Sequence, residues 1–265
     1  MKNVDLGMPT LIEINGIEEC VRLCKELGLD FIELNMNLLQ YQIDNLNIEQ
    51  LKKICDIEKI YFTIHLDENL NVCDFNRDVA NAYIKTILST IDIAKKLKIP
   101  VLNMHMPNGV YFTLPKEKLY LFKKYKDIYL ENLERFRDIC EEAVGDSNIK
   151  ICIENCSGYK DFTMEGIELL LESNIFGLTF DVGHNYKANR ADEPFIYKHL
   201  NKLYHMHIHD AKEDEDHLPL GTGKIKIDEK LLLANKNNYR VVIETKTIES
   251  LTQSVGKLKN MVECP

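Results

Sequence analysis

Apolar and polar positions along this chain follow two rhythms in turn. Runs of five to seven mostly apolar residues each give way to a polar turn, then to a longer stretch with apolar positions three and four apart. The short runs are VDLGM (4–8), DFIELN (30–35), IYFTIHL (60–66), VLNMH (101–105), IKICIE (149–154), GLTFDV (177–182), LYHMHIH (203–209) and RVVIE (240–244). Helical periodicity covers 16–27, 48–55, 74–97, 119–143, 164–171 and 251–261. The longest interval without a strand, 106–148, has room for a lid-like loop carrying Tyr111 and Phe112 and for a long or broken helix.

Strict strand–helix alternation favours a parallel sheet, and eight units in a chain of 265 residues are the size of a single (β/α)8 TIM barrel. A doubly wound open sheet is the alternative, but LGMPT after the first strand is not the Gly-rich G-x-G-x-x-G turn expected there. No linker, low-complexity tract or charge block interrupts the alternation, so residues 1–265 are expected to form one domain.

Composition narrows the setting. An apolar content of 45% suffices for a large core. No apolar run approaches the ~18 to 20 residues that span a bilayer, and MKNVDLGMP has no signal-peptide core, so a cytoplasmic protein with no membrane partner is expected. Eight cysteines with no C-x-x-C pair read as reduced thiols, with Cys20, Cys24 and Cys152 as packing residues. A net charge of −9 counts against a nucleic-acid partner, and the densest basic stretch, KEKLYLFKKYK (116–126), reads as the solvated face of a helix.

The chemistry is concentrated at strand ends. In a barrel the C-terminal ends of the strands converge on the active site. Here the third ends in His65, the fourth in His105, the fifth in Glu154, the sixth in Asp181 with His184 nearby, the seventh in His207 and His209, and the eighth in Glu244. The loop after the seventh, KEDEDHLPLGTGK (212–224), adds Glu215 and His217.

One such residue alone is readily a cap or a solvated group. Glu154 and Glu244, however, each close a buried apolar run, where a carboxylate without a cation or hydrogen-bond donor carries a large desolvation cost. A set of carboxylates and imidazoles suits a hard or borderline divalent ion: Mn2+, Mg2+, Co2+ or Zn2+. Aromatic loop residues Tyr111, Phe112, Tyr159 and Tyr186 can line a sugar pocket or pack; Lys160, Lys187 and Arg190 can meet a phosphate or carboxylate, or stay solvated.

FIELN, IENCSG, DVGH, HIHDAK, HLPLGTG and IETK, in this order and over roughly residues 4 to 258, resemble the xylose-isomerase-like TIM-barrel superfamily. Its members include sugar-phosphate isomerases and epimerases and endonuclease IV (AP endonuclease family 2). The isomerase branch implies one divalent metal on Glu154, Asp181, His207 and Glu244, with Glu154 and Glu244 as acid and base acting on a small sugar or sugar phosphate. Tyr111, Lys160 and Arg190 are then the expected substrate contacts.

The endonuclease branch implies a zinc-dependent phosphodiesterase for abasic-site DNA, with a cluster of three zinc ions and with His65, His105, His184, Glu215 and His217 as further ligands. The chain departs from that branch in three places. Glu215 stands where it has aspartate, with Asp214 and Asp216 as alternatives; HMPNG lacks its H-P-G run; and DVGH has glycine where it has cysteine. A barrel that only binds a sugar or metal, and lyase or dehydratase chemistry on the same scaffold, are further readings. Within LYHMHIH, His205 is expected deepest as a hydrogen-bonded core residue, His207 at the metal and His209 at the rim, near substrate or a second ion.

Overall fold

A computed structural model describes residues 4–156 and 158–263, with the side chains of 260–263 outside it. Ser157 of IENCSG, the thiol of Cys264 and the outermost residues of the 1–265 domain therefore lie outside the described residues. Eight parallel strands close into a barrel: β1 (Leu6–Pro9), β2 (Phe31–Asn35), β3 (Tyr61–His65), β4 (Val101–His105), β5 (Lys150–Glu154), β6 (Phe176–Asp181), β7 (Leu203–Ile208) and β8 (Arg240–Ile243). Each strand pairs with the next in sequence and β8 returns to β1, so the open-sheet alternative is excluded.

Helices fill the intervals where apolar spacing called for them. Ile17–Leu27 buries Ile17, Cys20, Val21, Cys24 and Leu27, one stripe of an amphipathic helix, and carries Glu18 and Glu19 in its first turn and Lys25 in its last, as the helix dipole favours. Asn76 caps Arg77–Leu97 by accepting the Asp78 N–H. The stretch 119–143 is broken: Lys118–Tyr120 pairs with Tyr111–Thr113 as an antiparallel hairpin, a short turn follows at Leu121–Lys124, and a helix runs over Lys126–Val144. KEKLYLFKKYK is therefore hairpin and helix start rather than one helical face. Helices Val182–Lys187, Glu193–Lys198 and Ile227–Asn237 were not foreseen.

The seven described cysteines are free thiols, and Cys20, Cys24 and Cys152 are buried as packing residues. No helix among the described residues is long and apolar enough to cross a membrane.

The inside of this barrel is polar. Strand alternation turns Glu33, Thr63, His65, Asn103, Glu154, Thr179, Asp181, His205 and His207 inward, and every one is buried. Between β6 and β7 the register shifts: Leu178 faces Leu203 but Thr179 faces His205, leaving Tyr204 as an extra residue. That bulge brings His207 level with Asp181, while on its other side His207 lies level with Val242, two residues before Glu244.

Candidate metal centre

Four strand ends meet at one point. Glu154, Asp181, His207 and Glu244 each bring a ligand atom to a cluster in which all such atoms lie within 4.8 Å of one another, and all four residues are buried. His207 Nδ1 sits among the carboxylates, 3.1 Å from Glu244 Oε2, 3.4 Å from Glu154 Oε1 and 3.9 Å from Asp181 Oδ2. Glu244 Oε2 and His207 Nδ1 have no hydrogen-bond partner although both are buried. Three carboxylates and an imidazole with bare atoms pointing at one another suit a divalent cation, and the residues present fit the ion their types imply.

Their electrostatics follow from crowding in a dry place. Burial alone would raise the carboxyls, but His207, His105 and His184 hold Glu154 well below the ordinary range, and His207 and Lys246 do the same for Glu244. Conversely, burial would lower His207, yet Glu154, Glu33 and Glu244 push it well above its usual value. Without a cation, a proton on His207 offsets part of the acids' charge.

A second group adjoins the first. His65 Nε2 and His105 Nε2 each lie 3.4 Å from Glu154 Oε2, which also accepts from the Asn103 amide. His65 Nδ1 is tied to its neighbour's carbonyl, Leu66 O, at 2.8 Å. His65, His105 and Glu154 thus form a further three-atom cluster sharing Glu154 with the main cage. On the other side, Asp181 Oδ1 caps helix Val182–Lys187 through the His184 N–H, and His184 Nδ1 lies 3.6 Å from Glu154 Oε1 without a partner.

His209 follows the last residue of β7. It is fully buried, its Nδ1 2.7 Å from the His217 N–H and its Nε2 within 3.2 Å of both Asp181 oxygens. A backbone N–H can only donate, so Nδ1 accepts and Nε2 carries the proton toward Asp181. Both nitrogens thus have partners in the metal-free chain, and His209 also forms with His184 and His217 a group whose ligand atoms lie within 4.8 Å of one another, as a second ion would need. Its ring reaches Asp181 only because residue 183 is glycine, since a Cβ there would fall on the imidazole. His217 stacks on His209 with centroids 4.1 Å apart, its Nδ1 3.1 Å from Glu244 O.

Glu215 is not brought to the cage. His217 adopts a left-handed backbone (φ 51°), which breaks strand alternation, so its ring turns in while Glu215 faces solvent and pairs with Lys212 at 3.4 Å. Asp216 instead meets Lys187 at 3.0 Å, and Asp214 is exposed. Among the expected substrate contacts, Tyr111 is half-exposed on the hairpin, its ring tilted against Tyr120 with Lys118 over it. Lys160 lies over Tyr120, 4.9 Å from the ring centre. Arg190 lies elsewhere, in a groove with Glu193, Tyr197, Lys226 and Glu229.

Besides Asn103 and Lys246, which adjoin the two glutamates, three buried polar residues went unnoticed in the sequence. Glu33 lies inside the barrel, fully buried, 2.9 Å from both His205 Nε2 and His207 Nε2. Asn155 trades two 2.9 Å hydrogen bonds with the backbone of Asp181, fixing the strand end that carries it. Asp210 is buried and accepts four backbone N–H groups from Ala211, Gly221, Gly223 and Ile225, which tie down the loop bearing His217. A mid-strand acid in FIELN was the available signal for Glu33, by the same desolvation argument that singled out Glu154.

Residues 21–261 match the family described as xylose isomerase-like TIM barrel. A D-tagatose 3-epimerase-like protein of known structure superimposes with a TM-score of 0.79 at 25% identity, over 98% of this chain and 97% of that one. The IOLI protein, solved with a binding zinc atom, shares the fold at a TM-score of 0.74 and 17% identity, over 97% of each chain. An uncharacterized protein of Methanocaldococcus jannaschii is 30% identical over 166 residues, 61% of this chain and 66% of that protein, so the match spans just under two thirds of that curated relative. Sugar epimerases recur among the solved structures with this fold.

Proposed function

This chain belongs to the xylose isomerase-like TIM-barrel family, and from that premise we propose that it is a divalent-metal-dependent isomerase or epimerase of a small sugar or sugar phosphate, working in the cytoplasm. The observation that carries the reading is the buried cluster of Glu154, Asp181, His207 and Glu244, with two glutamates meeting one imidazole nitrogen at 3.4 and 3.1 Å. Binding alone calls for no such pair of glutamates. These four residues would hold Mn2+, Mg2+, Co2+ or Zn2+; when bound, the ion supplies Lewis-acid polarisation of a sugar carbonyl and stabilises charge developing on its oxygen.

The remaining steps fall to the chain. Lys246 Nζ lies 2.9 Å from Glu244 Oε1 and keeps that carboxylate ionised, ready to withdraw a proton from the carbon beside a carbonyl. Asn103, His65 and His105 surround Glu154 Oε2 and orient that carboxylate. Return of the proton by the same glutamate to the neighbouring carbon, with the hydroxyl proton passing to the former carbonyl oxygen, isomerises the sugar. Return by the other glutamate, loaded with a proton from solvent, to the opposite face inverts the centre. The hairpin of Tyr111 and Tyr120, with Lys160 over the Tyr120 ring, would close over the sugar.

Metal-reconstituted protein is expected to exchange a substrate C–H for solvent deuterium with at least one ketose or sugar phosphate. Absence of exchange across a broad panel would count decisively against this reading. The His65–His105–Glu154 cluster favours one second reading, a multi-ion phosphodiesterase. Incision of an abasic-site duplex, abolished by Glu154→Gln, would replace the first reading with it.

A further inference from the structure

Glu33 sits below the cage in the barrel interior. Its two carboxylate oxygens have different neighbours. Oε2 accepts from the Thr63 hydroxyl at 2.9 Å and meets His205 Nε2 at 2.9 Å in an aligned hydrogen bond. Oε1 lies 2.9 Å from His207 Nε2. Thr63 and His205 come from β3 and β7, are fully buried, and leave Oε1 as the oxygen turned to His207. The His207 N–H is not in line with Oε1, so the contact is electrostatic rather than a formed hydrogen bond.

An imidazole ligates through the nitrogen that has no proton, and the partner of its other nitrogen decides which one that is. A carboxylate oxygen can only accept. With Glu33 at Nε2, the proton of neutral His207 belongs on Nε2, and the lone pair is left on Nδ1, the atom that faces Glu154, Asp181 and Glu244.

Resting on the metal-cage reading above, we propose that Glu33 is a positioning residue that sets the ligating tautomer of His207, with His205 and Thr63 holding Glu33 in the orientation that does so. The histidines of LYHMHIH then serve one centre in three ways. His207 ligates, His205 braces Glu33 behind it, and His209 braces Asp181 beside it.

Glu33→Gln separates this role from mere packing, because it preserves shape and reverses polarity. If the amide oxygen keeps the Thr63 and His205 donors, its NH2 faces His207 Nε2 and can only donate. Nε2 must then accept, the proton moves to Nδ1, and the imidazole presents an N–H to the cage. Zinc affinity, measured by competition with a chromophoric chelator, is expected to fall roughly 10- to 100-fold in Glu33→Gln, the usual effect of losing such a supporting partner. Glu33→Asp, which restores an acceptor, is expected to recover part of it.

A second measurement needs no variant. Long-range 1H–15N correlation spectra of the zinc-loaded wild-type chain should show His207 coordinated through Nδ1 with a proton on Nε2. Coordination through Nε2, or equal zinc affinity in Glu33→Gln, overturns this role for Glu33 and leaves the cage standing. A wild-type chain that takes up no zinc overturns the cage and the role together.

Discussion

Replacing Asp210 by asparagine tests whether the loop after β7 is built on one buried carboxylate. Asp210 is 1% exposed. Oδ1 accepts from Ala211 N at 2.9 Å and Ile225 N at 3.0 Å, and Oδ2 from Gly221 N at 2.9 Å and Gly223 N at 2.8 Å. The backbone at Gly223 comes so near that a Cβ would fall on the carboxylate, which explains the second glycine of HLPLGTG. Asparagine keeps one carbonyl oxygen and sets its NH2 against the other pair of donors. Two charge-assisted bonds are lost at ~1.5 to 3 kcal/mol each, or about 3 to 6 kcal/mol in all. In a chain of this size that lowers Tm by roughly 6 to 24 °C. Thermal unfolding followed by circular dichroism, with chelator present in both samples, reads the difference. A loss below about 1 kcal/mol would refute the reasoning, since the four bonds could not then be holding the loop.

Three other outcomes follow from the same geometry. Gly183→Ala drives a methyl into the His209 ring and should destabilise the protein by about 1 to 3 kcal/mol; His209→Asn added to it should recover most of that loss, and simple additivity in a double-mutant cycle would contradict the clash. Burial would lower His65 and His184, but Glu154 and Asp181 raise them to about 9 and about 10. In the metal-free chain their stabilisation is thus full below their ordinary 6.5 and lost as pH rises through 9 to 10. Melting with chelator should therefore weaken between pH 6.5 and 10, while cation affinity climbs over the same window as these protons leave; a flat profile in both would contradict the assignment. Removal of metal should lower Tm in proportion to ligand saturation, and a Tm indifferent to chelator would speak against a bound ion.

The barrel was legible because its strands are short and apolar while its helices are amphipathic, and strand ends could be inspected for chemistry once the fold was inferred. Glu154, Asp181, His207 and Glu244 were among those strand-end residues, the family resemblance implied them as one ligand set, and their ligand atoms do lie together. Glu33 was missed although it lies between Ile32 and Leu34, because a barrel strand is buried on both faces and period-two contrast vanishes there. Glu215 was misplaced by a local backbone event, the left-handed residue at His217. Helices Val182–Lys187 and Glu193–Lys198 are too short for periodicity to register. Arg190 followed the short helices away from the cage, since loop residues carry no period that says which way they face.

Element analysis of the purified chain beside Glu244→Gln and His207→Ala tests the central claim most directly. The account predicts one divalent transition or alkaline-earth ion per wild-type chain and a marked loss of it in each variant. Three ions per chain would move the function to the phosphodiesterase reading. No ion in the wild-type chain, or an undiminished content in both variants, would contradict the cage of Glu154, Asp181, His207 and Glu244.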